Sequence, residues 1–292
     1  TLTLGGYNSY TASTTINGGT LVIGGSGSLG GSAAASYSGT ISNAGALVFN
    51  TSTAQTLSGV ISGAGTLTQK GSGMLTLTAT NTYTGVTNID AGELRIQHNA
   101  PTLNSSSYTG QGHLKIESVA NSFASAYTLD RSKIGAALNR LTVGKATNTQ
   151  DVVLNGDVTT LGAQTYYGSM KVSGSNVTLT AQSEDINITG SIIPDVNNSR
   201  TLTLNASQGY LNIGGDIGTP TLALYDLRMN ALGMKIIDNT SFYTTNDVFI
   251  NFGIIMYAGA DATLQIKAGR HISLGAASYI DASVNKLNVL LH

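Results

Sequence analysis

The chain contains no cysteine and little charge. Without cysteine there are no disulfides and no thiolate metal sites, and the redox compartment is left open. Charged residues make up 10% of the 292 positions, against about 25% in ordinary soluble domains. From Thr1 to Gln69 there is no Asp, Glu, Lys or Arg. The net charge of −1 gives no electrostatic footprint for nucleic acid or for an acidic surface. Long apolar runs are missing too: none approaches the roughly 20 residues of a spanning helix, so this segment is not expected to cross a membrane. Yet the uncharged stretch does not read as disordered, because β-branched and aliphatic residues alternate with Thr, Ser and Asn throughout. A surface that is polar without charge over an interior of Val, Ile, Leu and Ala fits stacked β-strands.

The stretch Met74 to Gln97, MLTLTATNTYTGVTNIDAGELRIQ, carries the clearest pattern. Leu75-Thr76-Leu77-Thr78 and Glu93-Leu94-Arg95-Ile96 alternate as strands do, and Asn81, Tyr83, Gly85 and Gly92 lie between them as turn and corner residues. Thr1 to Gly24 repeats it without a gap. Leu2 matches Leu75, Leu4 matches Leu77, Asn8 matches Asn81, Tyr10-Thr11 matches Tyr83-Thr84, and Leu21 and Ile23 match Leu94 and Ile96. Ala12 stands where the second copy has Gly85. A strand unit that repeats cannot bury its apolar face alone and stacks on its neighbours. The motif TLTLxxxNxYTGxTxIxxGxLxI resembles the passenger-associated strand repeat of bacterial autotransporters. That resemblance implies a right-handed parallel β-helix exported to the cell surface by a type V route.

Three stretches follow. Residues 1–97 form the repeat region, in which SGTISNAGALVF (38–49) and SGVISGAGTLTQ (58–69) are near-copies. Residues 98–150 are less regular, with Pro101 breaking any strand near it; Ser118 to Leu141 reads either as a short amphipathic helix or as loops and short strands, in a lid, an inserted loop or a seam. Residues 151–292 form a second solenoid with its own grammar of alternation and Gly or Asn corners. Asp151–Gly156, Thr201–Ala206 and Leu211–Gly215 resemble the filamentous-haemagglutinin type of giant exoprotein. Between Leu222 and Ile255 the text turns aromatic. Tyr225, Phe242, Tyr243, Phe249, Phe252 and Tyr257 are either the core of a wider coil or a surface for a partner chain or a sugar.

The fold class expected is therefore all-β, a right-handed parallel β-helix. One coil takes on the order of 20 to 25 residues, giving about a dozen coils and, at about 4.8 Å per coil, a rod of roughly 60 Å. The chain starts inside a repeat without Met and stops without a polar cap, so it reads as a piece of a longer polypeptide whose end coils pair with more chain or with another subunit. The candidate assembly residues are Thr1, Leu2, Thr3 and Leu4 at one end and Leu287, Asn288, Val289, Leu290 and Leu291 at the other.

Chemistry is sparse. Glycoside hydrolysis needs two carboxyls at a set separation, and the carboxylates here are scattered. Adjacent Glu184 and Asp185 would point to opposite faces of a strand. Stacking could align Asp157, Asp185 and Asp216 in one column, though solvated turns are the plainer reading. Gly214–Gly218 lacks the spacing and recurrence of a calcium-binding repeat. His98, His113, His271 and His292 are far apart in sequence, and no phosphate or dinucleotide fingerprint appears. Recurrent Thr-x-Thr is the ordinary outward residue of strands. Asn8, Asn17, Asn43, Asn50, Asn81, Asn88, Asn155, Asn205 and Asn212 at predicted turns suggest stacked amide ladders. No enzyme, cofactor or metal is expected. The expected role is a structural or adhesive rod of a secreted bacterial surface protein, in adhesion, cell–cell contact or an extracellular filament or matrix. Its partners would be its own repeats, identical subunits end to end, or surface glycans or proteins of a host or neighbouring cell. The alternative is a polysaccharide-binding or polysaccharide-degrading β-helix.

Overall fold

Ile41 and Ile61 are one near-copy apart in sequence and direct neighbours in the fold. In the computed structural model the parallel pairing sets Ile41 against Ile61, Leu47 against Leu67 and Phe49 against Gln69. Residues 1–32, 36–236, 238–256, 261–276, 278–281 and 286–292 are described. Every strand pair among them is parallel, with partners mostly 19 to 27 positions apart, from Leu2 with Leu21 to Leu114 with Leu141. This is a parallel β-solenoid of about 12 turns. Contacts divide the chain into two compact units, residues 1–124 with 132–145, and residues 125–131 with 146–292.

In the first unit one face stacks Leu2–Leu4, Thr20–Gly25, Ala46–Thr51, Thr66–Gln69, Thr87–Ile89 and Tyr108–Thr109. A second carries Ser36–Tyr37, Gln55–Leu57, Met74–Leu77, Glu93–Gln97, His113–Glu117 and Arg140–Val143. A third carries Thr14–Ile16, Ile41–Asn43 and Ile61–Ser62. Alternation decides which side chains enter: Leu47, Phe49, Leu67, Leu94 and Leu114 are buried, and the residues between them face out. Both copies of the repeated motif fold alike, first strand against third, Leu2 with Leu21 and Leu75 with Leu94. They do not occupy the same face, however. The first and third strands of the earlier copy lie in one sheet and those of the later copy in another. The motif dictates a turn of chain, not a position around the axis. In both copies the motif's tyrosine meets a threonine four positions further on. The buried Tyr83 hydroxyl lies 2.8 Å from Thr87 Oγ1, and in the first copy Thr14 Oγ1 donates to Tyr10 Oη at 3.2 Å.

Residues 98–150 are not an insertion outside the coil. Their strands Tyr108–Thr109, His113–Glu117 and Arg140–Val143 continue the faces in register. Ser118 to Leu141 forms no α-helix; it holds the strand Tyr127–Thr128 and a single 3₁₀ turn, Arg131–Lys133.

In the second unit Val158–Thr160 and Gln164–Tyr166 are separate strands, as are Val177–Ala181 and Ile186–Ile188. The next coils run through the same corner as single long strands, Leu202–Ile213 and Leu227–Ile236, with register shifts at Ala206/Tyr210 and at Asn230/Gly233. Such bulges bend a strand without ending it. A further face carries Tyr127–Thr128, Val152–Leu154, Met170–Val172 and Ile192–Pro194, and Thr240–Tyr243, Ala262–Lys267 and Leu287–Leu291 stack in a sheet of their own. The isolated pairs Ile192 with Ile217 and Ile217 with Phe242 link these two sets of strands.

Candidate functional site

At the first unit's leading edge Thr1, Leu2 and Thr3 are exposed, Leu2 by 60%, and Leu4 is half-buried. Leu2, Leu4, Tyr10, Ile16 and Leu21 line an open apolar hollow of about 420 Å³. In the second unit Leu287 and Val289 are half-buried and Asn288, Leu290 and Leu291 exposed. Among the described residues Leu287–Leu291 pairs on one side only, with Ala262–Lys267. Ala262 N donates to Lys286 O and His292 N donates to Ile266 O. The alternation of a parallel ladder therefore leaves the N–H groups of Leu287, Val289 and Leu291 on the unpaired side.

The aromatic residues separate. Phe242 and Phe252 are core side chains, 0% and 4% exposed, so they cannot present to a partner; each sits on the inward parity of its strand. Tyr225 is 43% exposed. Phe249 is half-buried beneath Arg228, whose guanidinium lies 4.8 Å from the ring centroid, a cation–π contact. Tyr243 is half-buried beside a cleft that includes Thr244, Thr245 and Lys267. Phe249 and Tyr243 stand on different sheets, and Tyr257 lies outside the described residues. Two other tyrosines share one row. Gly233 and Gly253 pair in register, and on that row Tyr210 and Tyr279 cover them: a Cβ at Gly253 would lie 2.5 Å from the Tyr279 ring, and one at Gly233 3.2 Å from the Tyr210 ring. Lys235 Nζ sits 5.0 Å from the Tyr210 centroid. Mid-strand glycine in register was the available signal for this close approach.

One face of the first unit carries a cluster of charge. Glu93 Oε1 accepts from Arg95 at 2.8 Å, and Glu93 Oε2 lies 3.0 Å from His113 Nδ1. His113 Nε2 lies 2.9 Å from Thr142 Oγ1. Glu117, almost fully buried, meets Lys115 at 3.0 Å and accepts from Gln97 at 2.8 Å. Register explains the gathering: Arg95, Lys115 and Thr142 occupy one row, and Glu93 and His113 the next. Partial burial pushes the Glu93 carboxyl up, but hydrogen bonds from His113 and Arg95, with their charge, outweigh it and bring its pKa to about 2.

Several carboxylates in the second unit brace the coils. Asp157 Oδ1 accepts from Thr178 N at 2.7 Å, Asp185 from Tyr210 N at 2.8 Å, Asp216 from Ser241 N at 2.7 Å and Asp261 from Lys286 N at 3.1 Å. Asn176 and Asn239 do the same for Thr201 and Thr263. Each takes a backbone donor in the following coil, at or next to the start of a strand except for Tyr210, which follows the register shift inside Leu202–Ile213. Asp157, Asp185 and Asp216 precede three different sets of strands, so they make no single column. Asp195 works differently: Arg200 grips it at 2.7 Å and, with Gly174 N–H and Ser173, holds its carboxyl well below the usual range. Amide ladders are present. Asn251 donates to Asn230 at 3.1 Å and Asn230 to Asn205 at 3.0 Å, while Asn212 donates to Asn187 at 2.8 Å. Among the described residues no three His, Asp or Glu side chains gather as metal ligands, and no helix is long and apolar enough to cross a membrane.

A family model, the passenger-associated-transport-repeat, matches residues 1–23 and 67–96. Those are the two copies of the strand motif, so this part of the chain is similar to the repeat of autotransporter passenger domains. Comparison with the curated proteins and with the solved structures finds no match.

Proposed function

We propose that the chain is a length of β-solenoid from an exported bacterial surface protein, and that its work is mechanical and not enzymatic. The observation that carries this reading is the passenger repeat folded as stacked, fully parallel coils. Continuous backbone ladders stiffen such a stack, the aliphatic interior stabilises it without disulfides, and a surface of Thr, Ser and Asn meets other surfaces with little charge repulsion. Inter-coil braces from Asp and Asn add a side-chain bond at many corners. The same repeat supports a secreted or surface location and a part in adhesion, cell–cell contact or an extracellular filament or matrix. The haemagglutinin-like reading of residues 151–292 has the solenoid itself as its support.

Coils stack onto the open edges at Leu2–Leu4 and Leu287–Leu291, and the partner coil belongs either to the same polypeptide or to a second copy. A copy-to-copy contact of this kind is heterologous and does not close, so it produces filaments. Electron microscopy at low protein concentration separates the two. With a second copy as partner, the chain forms long filaments, and Val289→Pro removes them while circular dichroism keeps its β spectrum, because the lost N–H is on the unpaired side. Filaments that survive Val289→Pro would overturn end-to-end assembly through this edge. Single particles from the unsubstituted chain would assign the edges to neighbouring coils of one polypeptide.

A further inference from the structure

The cleft beside Tyr243 has its origin in a mismatch between successive coils. Ile217 pairs with Phe242, and Leu224 pairs with Thr244. Seven positions separate the first members of these pairs and two separate the second. The surplus, around Gly218 to Ala223, is left to loop out at a corner where the following coil turns tightly. Gly218 opens the loop at φ +75°, a conformation that favours glycine. Thr219 N donates to Leu222 O and Leu222 N to Thr219 Oγ1, both at 2.9 Å, with Pro220 fixing the turn between them. Ala223 N donates to Asn197 Oδ1 at 2.9 Å. The loop is thus held from both sides, and the space beside it is preformed.

That space has a volume of about 310 Å³, at the lower end of the range for small-molecule sites. Its walls are of three kinds. Pro220, Ala223 and the Tyr243 ring supply apolar surface. Thr219, Thr244 and Thr245 are its polar lining. Thr245 Oγ1 already donates to Asn198 Oδ1 and Thr219 Oγ1 already accepts from Leu222 N, so these two have only part of their hydrogen-bonding capacity left to offer. Lys267, exposed and in register with Tyr243, supplies one positive charge, and among the described residues no side chain pairs with it. Thr244 is the telling residue. It is 6% exposed, and its Oγ1 is enclosed with no hydrogen-bond partner. A buried hydroxyl left unpaired costs about 1–3 kcal/mol; among the described residues Gln69 Oε1, in the first unit, shares that condition, and each such atom calls for a physical reason.

We propose that this cleft binds a sugar residue bearing a carboxylate, a uronic acid unit. A pyranose has an apolar face for Pro220, Ala223 and Tyr243 and a rim of hydroxyls for the threonines. Lys267, a flexible point charge, pairs with the carboxylate. One cation suits a singly charged acid better than a doubly charged phosphate. The ligand class narrows the surface-glycan partner of the mechanical reading and rests on that reading for its biological source alone. Binding to the folded chain is measured independently of filament formation, so either can fail without the other.

The decisive experiment is calorimetric or NMR titration of the full chain with glucuronate, galacturonate, glucose and inorganic phosphate. The expected result is saturable binding of at least one uronate, at least tenfold weaker binding of glucose, and loss of at least tenfold in uronate affinity in Lys267→Ala. Thr244→Val keeps the shape and removes the orphan hydroxyl. It is expected to weaken uronate binding while leaving Tm unchanged or raised. Equal binding of glucose and uronate, or an unaffected Lys267→Ala, would overturn the acidic-sugar assignment. So would phosphate binding as tightly as uronate. A Thr244→Val chain that gains stability and binds as before would make the hydroxyl a packing feature and remove it from the site.

Discussion

At the scale of single residues, Asp and Asn at coil corners act alike. Asp157, Asp185 and Asp216 accept a backbone N–H from the following coil in the way that Asn176 and Asn239 do. Acceptor geometry is therefore the shared requirement, and charge is not. Asp216→Ala is expected to lower stability by about 1–3 kcal/mol in denaturant titration, since Ser241 N–H loses its partner. Asp216→Asn should restore most of that loss; equal damage from both substitutions would show that the charge matters after all. Glu93 is the opposite case, held as an anion by His113 and Arg95. Its folded pKa is depressed, so its contribution is present above the unfolded value of about 4.3 and is lost as pH falls toward about 2. Thermal unfolding measured across that window should fall less steeply in Glu93→Gln than in the unsubstituted chain. Parallel slopes would mean that the carboxylate contributes nothing to acid stability. Neither role was readable from the sequence, which scatters the carboxylates. Only the register that pairs residues some 20 positions apart shows which backbone donor each one meets.

At the scale of the element, the repeat motif was legible because its pattern is local. The alternation in Leu75–Thr78 and Glu93–Ile96 gave the strands Met74–Leu77 and Glu93–Gln97. The twenty-residue spacing of the near-copies gave the pairing of Ile41 with Ile61. Gly85 shows how tightly successive coils approach: a Cβ there would lie 2.1 Å from Gly65 O. Gly85→Ala is expected to cost about 1–3 kcal/mol through forced displacement of backbone, read as a lower denaturation midpoint with an unchanged slope. An unchanged midpoint would mean that the corner yields freely. The exposed Ala12 fills the matching place in the first copy. The aromatic stretch stayed divided between core and surface because neither alternative used the parity of the strand. Phe242 and Tyr243 are consecutive in one strand, so only one of them can face out, and the structure turns Phe242 inward. The bulges that fuse Leu202–Ile213 into one strand, and the surplus loop after Ile217, depend on comparing unequal coils. No single stretch of sequence carries that comparison.

At the scale of the whole molecule, the fold class followed from repetition and from a surface that is polar without charge. Both compact units are parallel solenoids, although only the first contains the matched repeat copies. Filament formation and its loss in Val289→Pro belong to this scale, because they test what the open edges meet. Sugar binding at the Tyr243 cleft belongs to the second unit alone. A chain that bound uronate without polymerising would be a length of stalk carrying its own contact point.

The two passenger-repeat copies start at Leu2 and Leu75 and fall on different faces of the first unit, while the near-copies around Ile41 and Ile61 fall on the same one. This difference governs how such a gene can change length. Slippage between the near-copies removes one complete turn, and every downstream side chain keeps its bearing. Unequal crossover between the two longer copies removes a fractional number of turns, and everything after the junction swings to another side. Length variation in descendants of this chain should therefore come in whole turns wherever an outward-facing contact is under selection.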